Sequence, residues 1–322
     1  MATAIFATGA AAAEVRFFRI GTGSTAGTYF PIGTLIASVI SNPPGSRACE
    51  DGGSCGVPGL IAVAQTTAGS VANVLAIAEG AIESGLAQSD VISWAYDGKG
   101  LFSGRRRLPT LRLIANLFPE SVHLVVRRSA GIGTVRGLRG KRVSLDLPGS
   151  GTRVDALIIL KAYGLSPSDL EEVAVKPGRA TTMILEDELD AFFFVGGYPA
   201  SAISDLASRG LIDLIPLVGP EAAAIRKRDR FFSIDRIPAG VYDGIGEVRT
   251  LSVSAQWVVD ESADAELVYE ITRALWHPNN RKILDNGHAK ARLIRPETAL
   301  EGVSIPLHPG AERYYREAGL LK

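Results

Sequence analysis

The feature that most constrains this chain is its alternation of short apolar segments with segments of helical spacing. Residues 191–195 are apolar at every position, as in a strand that is covered on both faces of a sheet. Residues 29–40 instead place apolar side chains three and four positions apart, as in an amphipathic helix. Repeated alternation of this kind predicts parallel strands in an α/β fold.

This alternation continues along nearly the whole chain. At 322 residues the chain has room for about two domains. We predict strands at 15–20, 60–64, 82–88, 122–126, 142–147, 172–175, 190–195, 211–214 and 251–259. We predict helices at 29–40, 71–79, 152–163, 181–186, 199–209 and 263–276.

Charge and hydropathy exclude several classes of protein. Lysine plus arginine number 34, and so do aspartate plus glutamate, so no net positive charge favours nucleic acid. No apolar run is long enough to cross a bilayer, which takes about 18 residues. These features predict a soluble protein.

Two sequence features favour export. Residues 1–13 carry no charge and end in three alanines, which is typical of the remnant of a signal peptide. A frayed alanine-rich terminus is the alternative. Cys49 and Cys55 bracket a run of turn-forming residues and can meet across it as a disulfide, which persists in oxidising compartments. Two free thiols are the alternative there.

Two glycine motifs lack the context that an enzyme would need. Residues 21–26 match G-x-G-x-x-A, but no acidic residue follows about 20 positions later to hold a ribose. Residues 52–56 match G-x-S-x-G, but they lie in a loop between the cysteines and not between a strand and a helix. The four histidines have no metal-ligand spacing. We therefore expect no cofactor, no metal and no catalytic residue.

A pair of strand-to-helix glycine turns predicts an anion site. Residues 21–28 and 148–153 each follow a predicted strand and open a predicted helix, and both contain serine and threonine. Free N–H groups at a helix start favour a bound anion. Two such turns in different lobes could hold one carboxylate from both sides.

Six blocks of sequence resemble the TAXI-type solute-binding proteins of TRAP (tripartite ATP-independent periplasmic) transporters. They occur in order over nearly the whole chain, at residues 19–33, 69–73, 88–90, 149–153, 193–197 and 305–315. Ala26, where glycine is frequent in the family, and the Cys49–Cys55 insertion depart from the common pattern.

The resemblance implies a two-lobed periplasmic-binding-protein fold, type II-like, with two crossing hinge strands and a ligand cleft between the lobes. Lobe I would comprise residues 14–121 and 256–322, and lobe II residues 122–255. The protein would be a periplasmic monomer that delivers a small carboxylate, such as glutamate, glutamine or a dicarboxylate, to the membrane subunits of a TRAP transporter. The expected ligand contacts are Gly23, Ser24, Gly27, Thr28, Tyr29, Asn73, Gln88, Ser89, Ser150, Gly151, Thr152, Arg153, Gly196 and Tyr198.

Two other functions stay open at this point. A secreted enzyme on the same fold would need a general base, for which Asp90 is the only acid in a matching block. A sensory module would bind the same solute without transporting it.

Overall fold

The structure is a computed structural model that describes residues 15–104 and 107–322. The predicted signal-peptide remnant lies outside the described residues. None of the described helices is long and apolar enough to span a membrane.

The described residues form twelve strands and ten α-helices. The strands are β1 Arg16–Gly21, β2 Ser41–Asn42, β3 Val57–Pro58, β4 Leu60–Gln65, β5 Ser84–Gln88, β6 Leu111–Arg127, β7 Arg142–Ser144, β8 Glu171–Val173, β9 Ala191–Gly196, β10 Ile212–Ile215, β11 Ser233–Ile237 and β12 Val248–Asp260. The helices are α1 Tyr29–Ile40, α2 Ser70–Ala78, α3 Ser89–Asp97, α4 Gly151–Ala162, α5 Pro177–Leu185, α6 Ser201–Ser208, α7 Pro220–Arg228, α8 Ala265–Leu275, α9 Arg281–Gly287 and α10 Pro309–Glu317.

One mixed sheet runs through both halves of the molecule. Its order is β4-β1-β5-β12-β6-β9-β7-β8, with β10 paired to β6 and β11 paired to β12. β1, β4 and β5 are parallel, as are β7, β8 and β9, which agrees with the predicted parallel pairing. The long strands β6 and β12 run antiparallel to these neighbours and to each other. They are the two crossing strands that join the lobes.

Each half of the sheet is covered on both faces. In lobe I, α1, α8 and the C-terminal helices cover one face, and α2 and α3 cover the other. In lobe II, α4 and α7 pack on one face, and α5 and α6 on the other. The predicted boundaries of the two lobes lie within or beside β6 and β12 and stay a prediction.

The C-terminal segment returns to lobe I, as the sequence suggested. The ring of Tyr315 in α10 is fully buried, and its hydroxyl donates a hydrogen bond to the Ile114 carbonyl at 3.0 Å. α10 packs on α8. Residues 309–317 therefore complete the core of the first lobe.

The predicted disulfide is present. Cys49 and Cys55 are bonded, with their Cα atoms 4.7 Å apart, and close a short loop beside the two-residue strands β2 and β3.

Candidate functional site

A narrow pocket lies between the lobes, where strands end and helices begin. Its volume is about 50 Å³. Pockets for drug-sized ligands occupy roughly 300–1,000 Å³. The pocket is therefore suited to a ligand of few atoms.

The two lobes touch each other around this pocket. The hydroxyl of Thr28 in lobe I donates a hydrogen bond to the Gly197 carbonyl in lobe II at 2.7 Å. The Ala72 amide in lobe I donates to the Gly149 carbonyl at 3.0 Å. These contacts define a closed conformation.

Four helices begin at the pocket. Residues at the starts of α1, α2, α4 and α5 all contribute to its lining. The starts of α1, α2 and α5 have no side-chain cap. The Ala72 amide of α2 already donates to the Gly149 carbonyl, and Pro31 and Pro177 have no N–H group, so only the remaining first-turn N–H groups are left for other acceptors. At α4 the Ser150 hydroxyl caps the helix by accepting from the Arg153 amide at 3.1 Å. The four helix starts together contribute positive partial charge to the pocket.

The second glycine turn requires a glycine for close packing between the lobes. A Cβ atom at Gly151 would lie 1.8 Å from the Gln88 Oε1 atom and 2.7 Å from the Ser70 hydroxyl. Gln88 Oε1 is buried and has no hydrogen-bond partner among the described residues. Gln88 also lines the pocket. Its oxygen is available to a donor group on a ligand.

Nine of the fourteen predicted ligand contacts line the pocket. They come from both glycine turns and from the end of β5, and they are Gly23, Ser24, Gly27, Thr28, Tyr29, Gln88, Ser150, Gly151 and Thr152. The structure thus brings the two turns to one place, as their shared pattern suggested. Their contact with a ligand stays a prediction.

Asn73, Ser89 and Arg153 lie outside the pocket lining. The Asn73 amide is fully buried and donates to the carbonyls of Thr22 and Leu86, at 2.7 Å each. Ser89 opens α3, and its hydroxyl accepts from the Ser254 amide at 3.4 Å. The Arg153 guanidinium forms an ion pair with Glu172. Each side chain has a structural partner in the closed form.

Gly196 and Tyr198 also lie outside the lining. Gly196 ends β9, and a Cβ atom there would lie 2.5 Å from the Phe194 ring. The Tyr198 hydroxyl donates to the Arg236 carbonyl at 3.2 Å. The Lys290 ammonium lies 3.7 Å from the centre of the Tyr198 ring. Both residues support the wall from behind.

Eight lining residues were not among the predicted contacts. They are Ala68, Gly69, Ser70, Glu120, Asp146, Pro177, Phe194 and Val195. Gly69, Ser70, Phe194 and Val195 lie in two of the sequence blocks singled out above, 69–73 and 193–197, so their signal was present in the sequence. Glu120 lies within the long strand β6 and has no motif around it.

Glu120 and Asp146 bring two carboxyl groups into the wall. Glu120 accepts a hydrogen bond from the Tyr29 hydroxyl at 2.6 Å, and burial raises its pKa to about 8. Burial likewise raises the pKa of Asp146 to about 7. Among the described residues, no lysine or arginine lines the pocket. The pocket therefore combines helix starts, which favour an anionic group of a ligand, with carboxyl groups, which favour a hydrogen-bond donor of a ligand.

A buried cation, Lys290, lies outside the lining and acts on Glu120. Lys290 is almost fully buried, and burial lowers its pKa to about 8, while the charges of Asp235 and Glu120 oppose that shift. Lys290 belongs to the 3-10 helix Ala289–Leu293.

Metal-ligating side chains do not gather at the pocket in the described part of the chain. The one group of three such side chains found there comprises Cys49, Cys55 and His277. Both of its sulfurs are already joined in the disulfide.

Solved structures share this architecture. A protein from Bordetella bronchiseptica RB50 superposes with a TM-score of 0.54 at 17% identity, covering 94% of this chain and 82% of that chain. PhnD1 from Prochlorococcus marinus MIT 9301, solved with methylphosphonate, gives a TM-score of 0.52 at 11% identity, covering 95% of this chain and 99% of that chain. The periplasmic sulfonate-binding protein SsuA from Methylobacillus flagellatus KT gives 0.50 at 14% identity, covering 95% and 96%.

The fold and the interlobe pocket define a two-lobed protein with the architecture of periplasmic solute-binding proteins. At the sequence level, the model of the NMT1-like family matches residues 20–319. The chain belongs to the NMT1-like family.

Proposed function

We propose that this protein is the periplasmic solute-binding component of a transporter and that it traps a small carboxylate between its lobes. The observation that carries the proposal is the convergence of four helix starts on a closed pocket with no basic side chain among its described lining residues. Helix starts stabilise an anion through their unpaired N–H groups and their dipoles. A single carboxylate fits this mode of binding.

The two carboxyl groups of the wall narrow the class of solute. A dianion such as a phosphonate would be repelled by Glu120 and Asp146 whenever either is ionised. An amino acid places its carboxylate at the helix starts and its ammonium group near a carboxyl group or near Gln88 Oε1. Glutamate and glutamine are therefore the solutes that we favour.

The proposal that the transporter is a TRAP transporter of the TAXI type rests on the six sequence blocks that resemble TAXI-type binding proteins. The structural neighbours include proteins named for sulfonate and for a complex with methylphosphonate, so these anions belong in any test. Glu120 and Asp146 both line the pocket, and burial raises both pKa values, as is common for the acids and bases of active sites. An enzyme is therefore the second candidate function, and the binding assay must distinguish it.

The test is isothermal titration calorimetry on protein that has been unfolded, dialysed and refolded to remove bound solute. The titrants are L-glutamate, L-glutamine, succinate, methanesulfonate and methylphosphonate. We expect heat of binding with L-glutamate or L-glutamine and none with the dianions succinate and methylphosphonate. Binding of the phosphorus or sulfur anions alone would overturn the proposed solute class. NMR of the recovered solute separates binding, which leaves it unchanged, from turnover.

A methyl group placed in the pocket locates the binding site. A Cβ atom at Gly23 would find its nearest neighbours at 3.9 Å, so Gly23→Ala fits without a clash. We expect this variant to keep the stability of the wild type and to weaken binding at least tenfold. The control is Gly133→Ala, on the surface, where a Cβ atom meets nothing within 4 Å. Equal affinity in all three proteins would place the site elsewhere.

A further inference from the structure

Two fully buried aspartates meet where the lobes are packed together. Asp90 lies in the first turn of α3, whose apolar residues belong to the core of lobe I. Asp155 lies in the second turn of α4, whose apolar residues belong to the core of lobe II. Val154, the neighbour of Asp155, packs against the lobe I core. Helix α4 thus carries Asp155 into the interface between the lobes.

Neither carboxyl group has a hydrogen-bond partner among the described residues. Both side chains are completely buried, and no hydrogen bond to any of their four oxygens is formed within the described residues. The nearest backbone donors are the amides of Asp90 and Val91 at the start of α3. The packing brings the two groups together, because Gly151, one turn before Asp155 in α4, lies against the side chain of Gln88, two residues before Asp90. The two carboxyl groups are close enough for each to shift the pKa of the other. Neither aspartate lines the ligand pocket.

The charges around the pair are negative. The charges of Glu120 in β6 and of Asp229, which follows α7, raise the pKa of Asp155, and Asp229 also raises the pKa of Asp90. The charge of Asp90 in turn raises the pKa of Tyr29 in α1. Helix α2 and strands β5 and β9, which pack against α3 or α4, carry no titratable side chain. β12 carries charge only near its two ends, at Arg249 and Asp260. Helix α7 carries Glu221 at its start and the exposed cations Arg226, Lys227 and Arg228 at its end, and the Arg228 guanidinium forms an ion pair with Asp229 at 2.8 Å.

Two adjacent carboxylates in such a place cannot both stay ionised at low cost. Burial raises the pKa of Asp90 to about 6 and raises the pKa of Asp155 as well, and the charge of Asp90 adds to the shift at Asp155. One proton between the two groups turns the repulsion into a charge-assisted hydrogen bond. When the lobes separate, water reaches the two carboxyl groups and solvates their charges. Their pKa values then fall, and the proton is held less tightly.

We propose that Asp90 and Asp155 share one proton across the lobe interface and form a pH-sensitive latch that holds the closed conformation. Because the closed form binds this proton more tightly than the open form, closure is favoured as the pH falls. It weakens as the pH rises from the ordinary aspartate value of 3.8 through the raised pKa values of the pair, by up to tenfold in the closed-to-open ratio per pH unit for one proton. The inference rests on the proposed function only in that closure traps the solute, so the test uses ligand-free protein.

The experiment measures the open fraction of the ligand-free full chain by small-angle X-ray scattering between pH 5.5 and 8.5. For the wild type we expect the radius of gyration to increase with pH. Asp155→Asn keeps the shape of the side chain and supplies an amide donor at every pH, so this variant should stay closed throughout. Asp90→Asn provides the same test if the first variant does not fold. Asp97→Asn, at the exposed end of the same helix, is the control and should behave as the wild type does.

The outcomes separate the latch from the proposed function. A wild-type radius that does not change with pH, or an Asp155→Asn variant that opens as the wild type does, overturns the latch. A pH-dependent opening that is abolished by Asp155→Asn supports it, whichever solute the calorimetry identifies. Carboxylate binding without pH-dependent opening supports the proposed function and refutes the latch.

Discussion

Replacing Glu120 with glutamine should remove a large part of the pH dependence of folding. Glu120 is 1% exposed, and burial raises its pKa from the ordinary 4.5 to about 8. The folded protein therefore keeps this proton to a higher pH than the unfolded chain does, and stability falls as the pH rises from about 4.5 to about 8. At about 1.4 kcal/mol per pH unit, this loss is about 3 kcal/mol by pH 7 and about 5 kcal/mol above pH 8.

The glutamine variant tests this pH-dependent loss of stability, because glutamine has nearly the shape of glutamate and can keep its main contact. The Tyr29 hydroxyl, 2.6 Å from Glu120 Oε2, can donate to the amide oxygen of glutamine instead. We expect Glu120→Gln to match the wild type within about 1 kcal/mol at pH 5 and to exceed its stability by several kcal/mol at pH 9.

Urea unfolding of both proteins at pH 5, 7 and 9 measures the difference. Glu79→Gln, at an exposed position, is the control and should follow the wild type at each pH. Parallel pH profiles for the wild type and Glu120→Gln would refute the reasoning, because they would mean that Glu120 ionises in the folded state as easily as in the unfolded chain.

Two further substitutions test the roles assigned to residues outside the pocket. Arg153→Gln should leave the affinity for the solute within about twofold of the wild type. It should lower the free energy of unfolding by about 1 kcal/mol or less, because the guanidinium is paired with Glu172 in a partly exposed ion pair. A loss of binding in calorimetry without a loss of stability would instead place Arg153 in the site. Replacing both Cys49 and Cys55 with serine should lower the unfolding free energy by about 2 kcal/mol, since the closed loop is short, and an unchanged urea midpoint would contradict this value.

Local patterns were enough to predict most of the elements. Helix α1 spans the predicted residues 29–40, because its apolar spacing and its first-turn proline are both local signals. Helix α3 was missed because it follows β5 directly, with no turn residues between them. The predicted strand 122–126 is the second half of β6, and its first half, from Leu111, was not recognised as strand. The predicted helix 181–186 begins earlier, at Pro177.

The pocket was predictable where backbone geometry determines it. Both glycine turns reach the pocket because a strand-to-helix turn places helix N–H groups at the end of the sheet. The carboxyl groups of Glu120 and Asp146 were not predicted, since nothing in the adjacent residues reveals which way a polar side chain in a strand or turn faces. Asn73 was assigned to the ligand because it carries an amide, but two buried carbonyls of its own lobe already use that amide.

The paired strands β6 and β12 also determine how the lobes can move. The chain passes between the lobes twice, and both passages lie side by side in one antiparallel ladder. Two paired strands resist twisting about the long axis of the molecule more than a single strand does. The stiffness of the connection between the lobes therefore depends on the direction of the motion. The ladder changes register between Ala255 and Gln256 and again between Trp257 and Val258. Such irregularities bend a strand and increase its local twist, so the ladder is curved where β12 also pairs with β5.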